Sequence, residues 1–178
     1  QSYEKKVYSQ NGEDGVIAKI FEIIDFTNRY YVEIGVGDGS ECNTRYLREA
    51  YNCQGIQFDR DYENLEINLH QALITAENIN QVFSQYNIPL EFDLLSIDVD
   101  GNDFYLWLSL KEIYQPRVVI VEYNSSHPPQ DDKVVQYSTQ RSWDGTNYFG
   151  ASILAWKNLA ESKGYSLIYA ESQGINLF

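Results

Sequence analysis

Tyr30-Tyr31-Val32-Glu33-Ile34-Gly35-Val36-Gly37-Asp38-Gly39 is the stretch on which the fold turns. A near-continuous apolar run of strand length ends in glycines at alternate positions, and residues 43–51 behind it have helical character. Strand, tight loop and helix in that order open a parallel α/β sheet. Moving outward, 55–59 (GIQFD) reads as a strand, 64–70 as a short helix, 72–75 as a strand and 78–86 as a helix. The sequence FDLLSID at 92–98 is the next strand, 104–113 a helix, and RVVIVEY at 117–123 a further strand. Strands covered on both faces lose the polar alternation of an exposed sheet, and these runs have lost it.

Before the first strand, Val16, Ile17, Ile20, Phe21 and Ile24 recur at helical spacing over 11–24, with Glu13 and Asp14 at the positive N-terminal end. After the fifth strand, 124–145 is polar and holds the adjacent Pro128 and Pro129, so a long loop is expected there. Phe149, Ile153, Trp156 and Ala160 mark a closing helix ended at Gly164. Residues 165–171 and 175–178, turning at Gln173-Gly174, read as an antiparallel hairpin. The expectation is one α/β domain over 1–178, Rossmann-like, with a mostly parallel seven-stranded sheet and helices on both faces. Its parts are an N-terminal helix region (8–29), a core (30–123), a loop (124–147) and the closing helix with its hairpin (148–178).

A chain of 178 residues fits one ordinary domain, and 43% hydrophobic residues supply a core. The formal charge of −13 repels phosphate backbones and anionic headgroups, which argues against nucleic acid and membrane surfaces as partners. Cys42 and Cys53 make neither a disulfide framework nor a zinc site and read as buried thiols. With no long apolar run and no charged leader, the sequence reads as cytoplasmic. Starting at Gln1 without a single Met, it also reads as a piece of a longer protein.

In an open parallel sheet, ligands bind beyond the carboxyl ends of the strands where strand order reverses, and the first strand-to-helix turn lies there. Gly35, Gly37 and Gly39 let the backbone approach a ligand, while Glu33 and Asp38 put carboxylates where a dinucleotide would put its pyrophosphate. The spacing is G-x-G-x-G rather than G-x-G-x-x-G, and no P-loop lysine follows. Asp59 ends the second strand, placed to accept from the two hydroxyls of a ribose. A nucleoside without phosphate satisfies both features, and S-adenosylmethionine, whose sulfonium is cationic, has that shape. The alternative is a strand–helix turn in which glycine serves geometry alone.

The series E-x-G-x-G-x-G at 33–39, Asp59, Asp98 at the end of the fourth strand and the final hairpin together resemble the class I S-adenosylmethionine-dependent methyltransferases. Within them, SIDVDGND at 96–103 resembles the K-I-D-V-E-G-x-E segment of FkbM-type methyltransferases, and VIVE at 119–122 resembles the V-I-x-E that follows it. The likeness runs over roughly residues 8–178. Asp100 and Asp103 stand where that family commonly carries Glu, and 137–150 looks particular to a narrower subgroup, so no substrate carries over. The resemblance implies that Glu33, Gly35, Gly37 and Gly39 shape the pocket for the methionine part and that Asp59 holds the ribose. It places Glu77, Asn78 and Ile79 near the adenine and Asp98 beside the methyl group. The stretch 9–14 either folds over the cofactor or simply caps the first helix.

Asp98, Asp100, Asn102 and Asp103 end the fourth strand, and Glu122 and Asn124 end the fifth. Carboxylates drawn together raise a pKa or recruit a cation, and oxygen donors such as Asp98, Asp100 and Asn124 suit Mg²⁺ rather than zinc. The plain alternative is a turn at Asp100-Gly101 with Asn102 or Asp103 capping the next helix. The expected proton-moving residues are Asp98, Asp100, Glu122 and His127, the last a loop histidine with a pKa suited to taking a hydroxyl proton. Residues 143–150, WDGTNYFG, suit either a sugar-binding surface or a turn. The activity expected is O-methylation of a small molecule or glycan, with S-adenosylmethionine as cofactor and a divalent cation such as Mg²⁺ as a further candidate. The rivals are an inactive methyltransferase-like binding module and a metal-dependent hydrolase or sugar-processing enzyme.

Overall fold

A computed structural model describes residues 3–139 and 144–178. Its elements in chain order are α1 (Glu13–Ile24), β1 (Tyr30–Ile34), α2 (Arg45–Tyr51), β2 (Gln54–Asp59), a 3₁₀ turn (Leu65–Ile67) and β3 (Leu69–Gln71). There follow α3 (Ile79–Gln85), β4 (Glu91–Ile97), α4 (Asp103–Ser109), β5 (Gln115–Glu122), α5 (Ile153–Ser162) and β6 (Asn176–Leu177). The strands form a mostly parallel sheet in the order β3-β2-β1-β4-β5-β6. Reversal of direction through strand order after β1 is the hallmark of doubly wound sheets. The chain divides into two compact units, one of Gln1–Leu73, Leu90–Ser96 and Gln115–Val119, the other of Ile74–Pro89, Ile97–Tyr114 and Ile120–Phe178.

In the first unit β1 pairs with β2 in parallel, Val32 opposite Ile56 and Ile34 opposite Phe58, and all four are buried. Gly55 is required by this pairing, since a Cβ there would lie 2.3 Å from the Tyr31 carbonyl oxygen. Helix α1 buries the expected stripe at Val16, Ile17 and Phe21. Its N-terminus is fixed by Asp14, fully buried, whose Oδ2 accepts from the N–H groups of Val7, Tyr8 and Ser9 at 2.6–2.8 Å. Ser9 Oγ accepts from the Asp14 N–H in return, and Glu13 Oε2 accepts from Asn11 N–H. The side chains of Ser9, Glu13 and Asp14 are thus spent on tying the entering segment to the first turn of α1. Asp93 on β4, also buried, accepts from the N–H groups of Thr27, Asn28 and Arg29 and from the Arg117 guanidinium, fixing the approach to β1.

The third strand is not at 72–75 but at Leu69–Gln71, parallel to β2, with Gln57 opposite Leu69 and Asp59 opposite Gln71. Two asparagines move it. Asn64 Oδ1 accepts from Glu66 N–H to start a 3₁₀ turn instead of a helix, and Asn68, left-handed at φ 57°, ends that turn and sends Leu69 into the ladder.

In the second unit, Ser152 Oγ caps α5 by accepting from Ala155 N–H, and Trp156 lies beside Phe104 and Trp107 with ring centroids 5.3 and 6.0 Å away. β6 runs antiparallel to β5, Val121 opposite Leu177. Among the described residues the sheet has six strands, not seven. The expected strand over 165–171 is reduced to a bridge between Ala170 and Leu177, flanked by Glu171 N–H to Asn176 O and Phe178 N–H to Tyr169 O. Gly164, at φ 83°, turns the chain so that Tyr165 N–H bonds to Ala160 O at the end of α5, which leaves only the last residues of that segment to pair. Among the described residues no helix is long and apolar enough to cross a membrane.

Candidate functional site

The first unit holds the glycine loop that leaves the carboxyl end of β1. Gly35, Gly37 and Gly39 all have positive φ, 84°, 58° and 77°, a region that side-chain-bearing residues rarely enter. Beneath the loop Val36, Cys42 and Leu69 form a buried apolar cluster with Ile67 against it. Burial pushes the Cys42 thiol up to about 12, so it is packing and not a nucleophile.

Glu33 is buried, and its carboxylate is spent inside the protein. Oε1 accepts from Asn43 N–H at 2.9 Å, while Oε2 accepts from Thr44 N–H at 3.0 Å, Thr44 Oγ1–H at 2.6 Å and Gln57 Nε2–H at 3.5 Å. It ties the far end of the loop to the strand that starts it. Gln57, fully buried on β2, also donates to Thr44 Oγ1, and Asn43 Nδ2 donates to Ser96 Oγ on β4. Asn and Thr directly ahead of a helical run are a capping signal. That signal was in the sequence, and the network built on it was the part not foreseen.

Asp59 closes the loop from the other side. Its Oδ2 accepts from Gly37 N–H at 2.8 Å and its Oδ1 from Asp61 N–H at 2.8 Å. Each carboxylate oxygen has a second lone pair, so capacity remains for a further donor. The two inner glycines differ. A Cβ on Gly39 would lie 2.5 Å from Ile67 Cδ1, whereas one on Gly37 would meet no atom within 4 Å. Gly37→Ala should therefore cost about 1 kcal/mol through positive φ alone, and Gly39→Ala about 2–3 kcal/mol once overpacking is added. Urea unfolding of the two variants measures the difference. A small-molecule occupant above Gly37 predicts the opposite ranking for ligand affinity relative to stability.

In the second unit Glu77, exposed, accepts from Tyr137 O–H at 2.5 Å, and that bond holds its carboxyl below the usual range. Asn78 Oδ1 accepts from Thr75 N–H ahead of α3, and Ile79 is fully buried, so its side chain is core. Of the residues expected near an adenine, Glu77 is exposed, Asn78 half-buried and Ile79 buried.

Asp98, Asp103 and Glu122 come together, one carboxylate oxygen of each lying within 4.8 Å of the others. Asp103 is fully buried and folds back over its own turn, Oδ1 accepting from Val99 N–H at 2.7 Å and Oδ2 from Gly101 N–H at 2.9 Å. Burial raises its pKa to about 6, opposed by those backbone bonds. Glu122 is pushed further, to about 9, first by burial and then by repulsion from Asp98, Asp103 and Asp100. Its Oε2 is buried without a hydrogen-bond partner.

The oxygen set expected to hold a cation, Asp98, Asp100 and Asn124, is not the one assembled. Asp100 is exposed on the left-handed turn, φ 57°. Asn124 is buried with its amide consumed, Nδ2 donating to the carbonyls of Asn147 and Phe149 and Oδ1 accepting from Ser126 N–H and Oγ–H. Asn102 likewise ties down another segment, donating to Ser138 O at 2.7 Å. Asp103, which with Asn102 was the alternative cap for the next helix, makes no cap bond to α4; it accepts from the turn ahead of that helix and joins the trio. A hard cation would find three carboxylates here but not the predicted amide. His127 is half-buried in a turn in which its N–H reaches Asn124 O at 3.4 Å. Asp144 Oδ1 accepts from Thr146 N–H and Oγ1–H, so 144–146 is a turn, and Trp143 lies outside the described residues.

The raised carboxyls set a pH dependence. Glu122 is neutral in the fold and ionised in the unfolded chain at neutral pH, so unfolding releases its proton. Its favourable contribution is whole below its ordinary value of 4.5 and is lost as pH climbs through about 9. Glu122→Gln, which cannot ionise, should raise the melting temperature at about pH 8 and leave it near wild type at about pH 4.5. An equal shift at both would show that Glu122 does not carry the proton.

No family model matches the chain, and no curated protein matches it. A solved structure of the pyocyanin biosynthetic protein PhzM matches 90% of this chain and 53% of its own at 14% identity and a TM-score of 0.42. The chain thus spans about half the length of that structure, and a likeness of that grade carries nothing on activity.

Proposed function

We propose that this protein binds S-adenosylmethionine and transfers its methyl group to a hydroxyl of a small molecule or glycan. The observation that carries the proposal is the Asp59–Gly37 hydrogen bond at the carboxyl end of β2, joined to a loop with open space over Gly37 and no lysine for phosphate. Asp59 has lone pairs left for ribose hydroxyls, and the loop backbone can approach a ligand closely. An acidic protein of net charge −13 also favours a donor with a positive sulfur over a polyphosphate.

Bound S-adenosylmethionine would supply an activated methyl group for in-line displacement. The chain's own part is to orient the nucleoside through Asp59 and the glycine loop and to take a proton from the acceptor. Glu122, neutral at pH 7, holds a proton already and cannot accept one. Within the acid trio of the second unit, Asp98 is the member proposed to accept a proton. Asp98→Asn is expected to bind donor as wild type does and to lower turnover by about 10²–10⁴-fold; unchanged turnover on an acceptor that wild type methylates would remove Asp98 from the chemistry. The acid trio gives the rival hydrolase one specific observation, and a stoichiometric divalent ion without nucleoside affinity would decide for it.

A further inference from the structure

Residues 134–138 are fastened to the first turn of α4, the turn that carries Asp103 of the acid trio. One end is pinned. Val135 is buried, its N–H donates to Gly150 O at 2.9 Å, its carbonyl accepts from Tyr105 O–H at 2.8 Å, and Val134 is bridged to Ala151. The other end is held by side chains. Asn102 Nδ2 donates to Ser138 O at 2.7 Å and Ser138 N–H donates back to Asn102 Oδ1 at 3.4 Å, while Tyr137 O–H donates to Glu77 Oε2 at 2.5 Å. Asn102 and Tyr105 thus hold the segment from either side of Asp103, which is fully buried although it opens its helix. The two ends differ in what it takes to undo them. Val135 would leave the core and give up its backbone pairing, whereas Glu77 is exposed and Tyr137 half-buried, so both partners of their bond can turn to water with little net loss. Tyr137 also lies against the Tyr105 ring, centroids 5.1 Å apart, a contact that does not need its hydroxyl. A segment pinned at one end and held by exposed side-chain bonds at the other opens locally while the fold stays intact.

We propose that residues 136–138 form a strap closed over the acid trio, that the Tyr137–Glu77 bond is its releasable latch, and that access to the three carboxyls is gained when the latch opens. Strap, latch and trio all belong to the second unit, and the inference is independent of which ligand the glycine loop takes. The test needs no ligand. Amide hydrogen exchange of the full chain is compared for wild type, Tyr137→Phe, Glu77→Ala and the double variant. Each single variant should speed exchange over 136–138 by about 3- to 10-fold and leave β5 and α5 unchanged. The double variant should add nothing, because the same bond is lost in all three. Unchanged exchange in β5 and α5 also certifies that the variants are folded. Carboxyl labelling with a water-soluble carbodiimide and glycine ethyl ester, read by mass spectrometry, then reports on the trio: labelling of Asp103 should rise with the exchange rate of the strap. Exchange over 136–138 that stays at the wild-type rate, or effects of the two substitutions that add, would show that the bond latches nothing. Faster exchange with Asp103 labelled no faster would show a segment that moves without covering the trio. Each of these results overturns the proposal.

Discussion

Glu33→Ala is expected to destabilise the protein by about 3–5 kcal/mol, because it leaves several buried donors without an acceptor at once. The carboxylate takes the N–H groups of Asn43 and Thr44, the Thr44 hydroxyl and the Gln57 amide. Removing it creates a void and strands those groups beneath the glycine loop. Urea unfolding followed by circular dichroism measures the loss. Glu33→Gln keeps one acceptor oxygen but turns an amide N–H towards donors, so it should lie between alanine and wild type. An alanine variant within about 1 kcal/mol of wild type would mean that the loop is held by something other than Glu33.

Asp59→Ala carries the largest expected effect on binding. It removes the acceptor for ribose hydroxyls and frees Gly37 N–H, so nucleoside affinity should fall by about 10- to 100-fold. Stability should change much less than in Glu33→Ala, since Gly37 and Asp61 can turn their N–H groups to water at this half-buried position. Asp59→Asn keeps the shape and loses the charge, and it should recover part of the affinity. Affinity unaltered in both variants would remove Asp59 from the ribose site.

Much of the fold was legible where hydrophobic runs are long. YYVEI, FDLLSI and RVVIVE are too apolar for anything but buried strands, and three glycines at alternate positions permit the left-handed backbone that the loop adopts. The third strand was misplaced because its fate hangs on Asn64 and Asn68, whose local bonds outweigh a three-residue ladder. The strand over 165–171 has an apolar face but loses its first residues to the turn at Gly164. In the site, Asp59 and the loop could be read from spacing, since strand ends are fixed by the strands themselves. What acidic and amide side chains do at the end of a strand could not. Asn124 pins a distant loop and Asp100 points to water, while Asp103, by folding back on its turn, joins Asp98 and Glu122. Glu33 could have faced a ligand or the protein, and it faces the protein because Asn43, Thr44 and Gln57 offer it four donors, as many as a carboxylate can use.

The central claim is that the loop after β1 takes a nucleoside carrying an amino acid and no phosphate. The most direct test is calorimetric titration of the intact chain with S-adenosylhomocysteine, with ATP and NAD as competitors. The prediction is saturable binding of one ligand per chain, undisturbed by either nucleotide. Absence of binding, or displacement by the phosphate-bearing ligands, would contradict it.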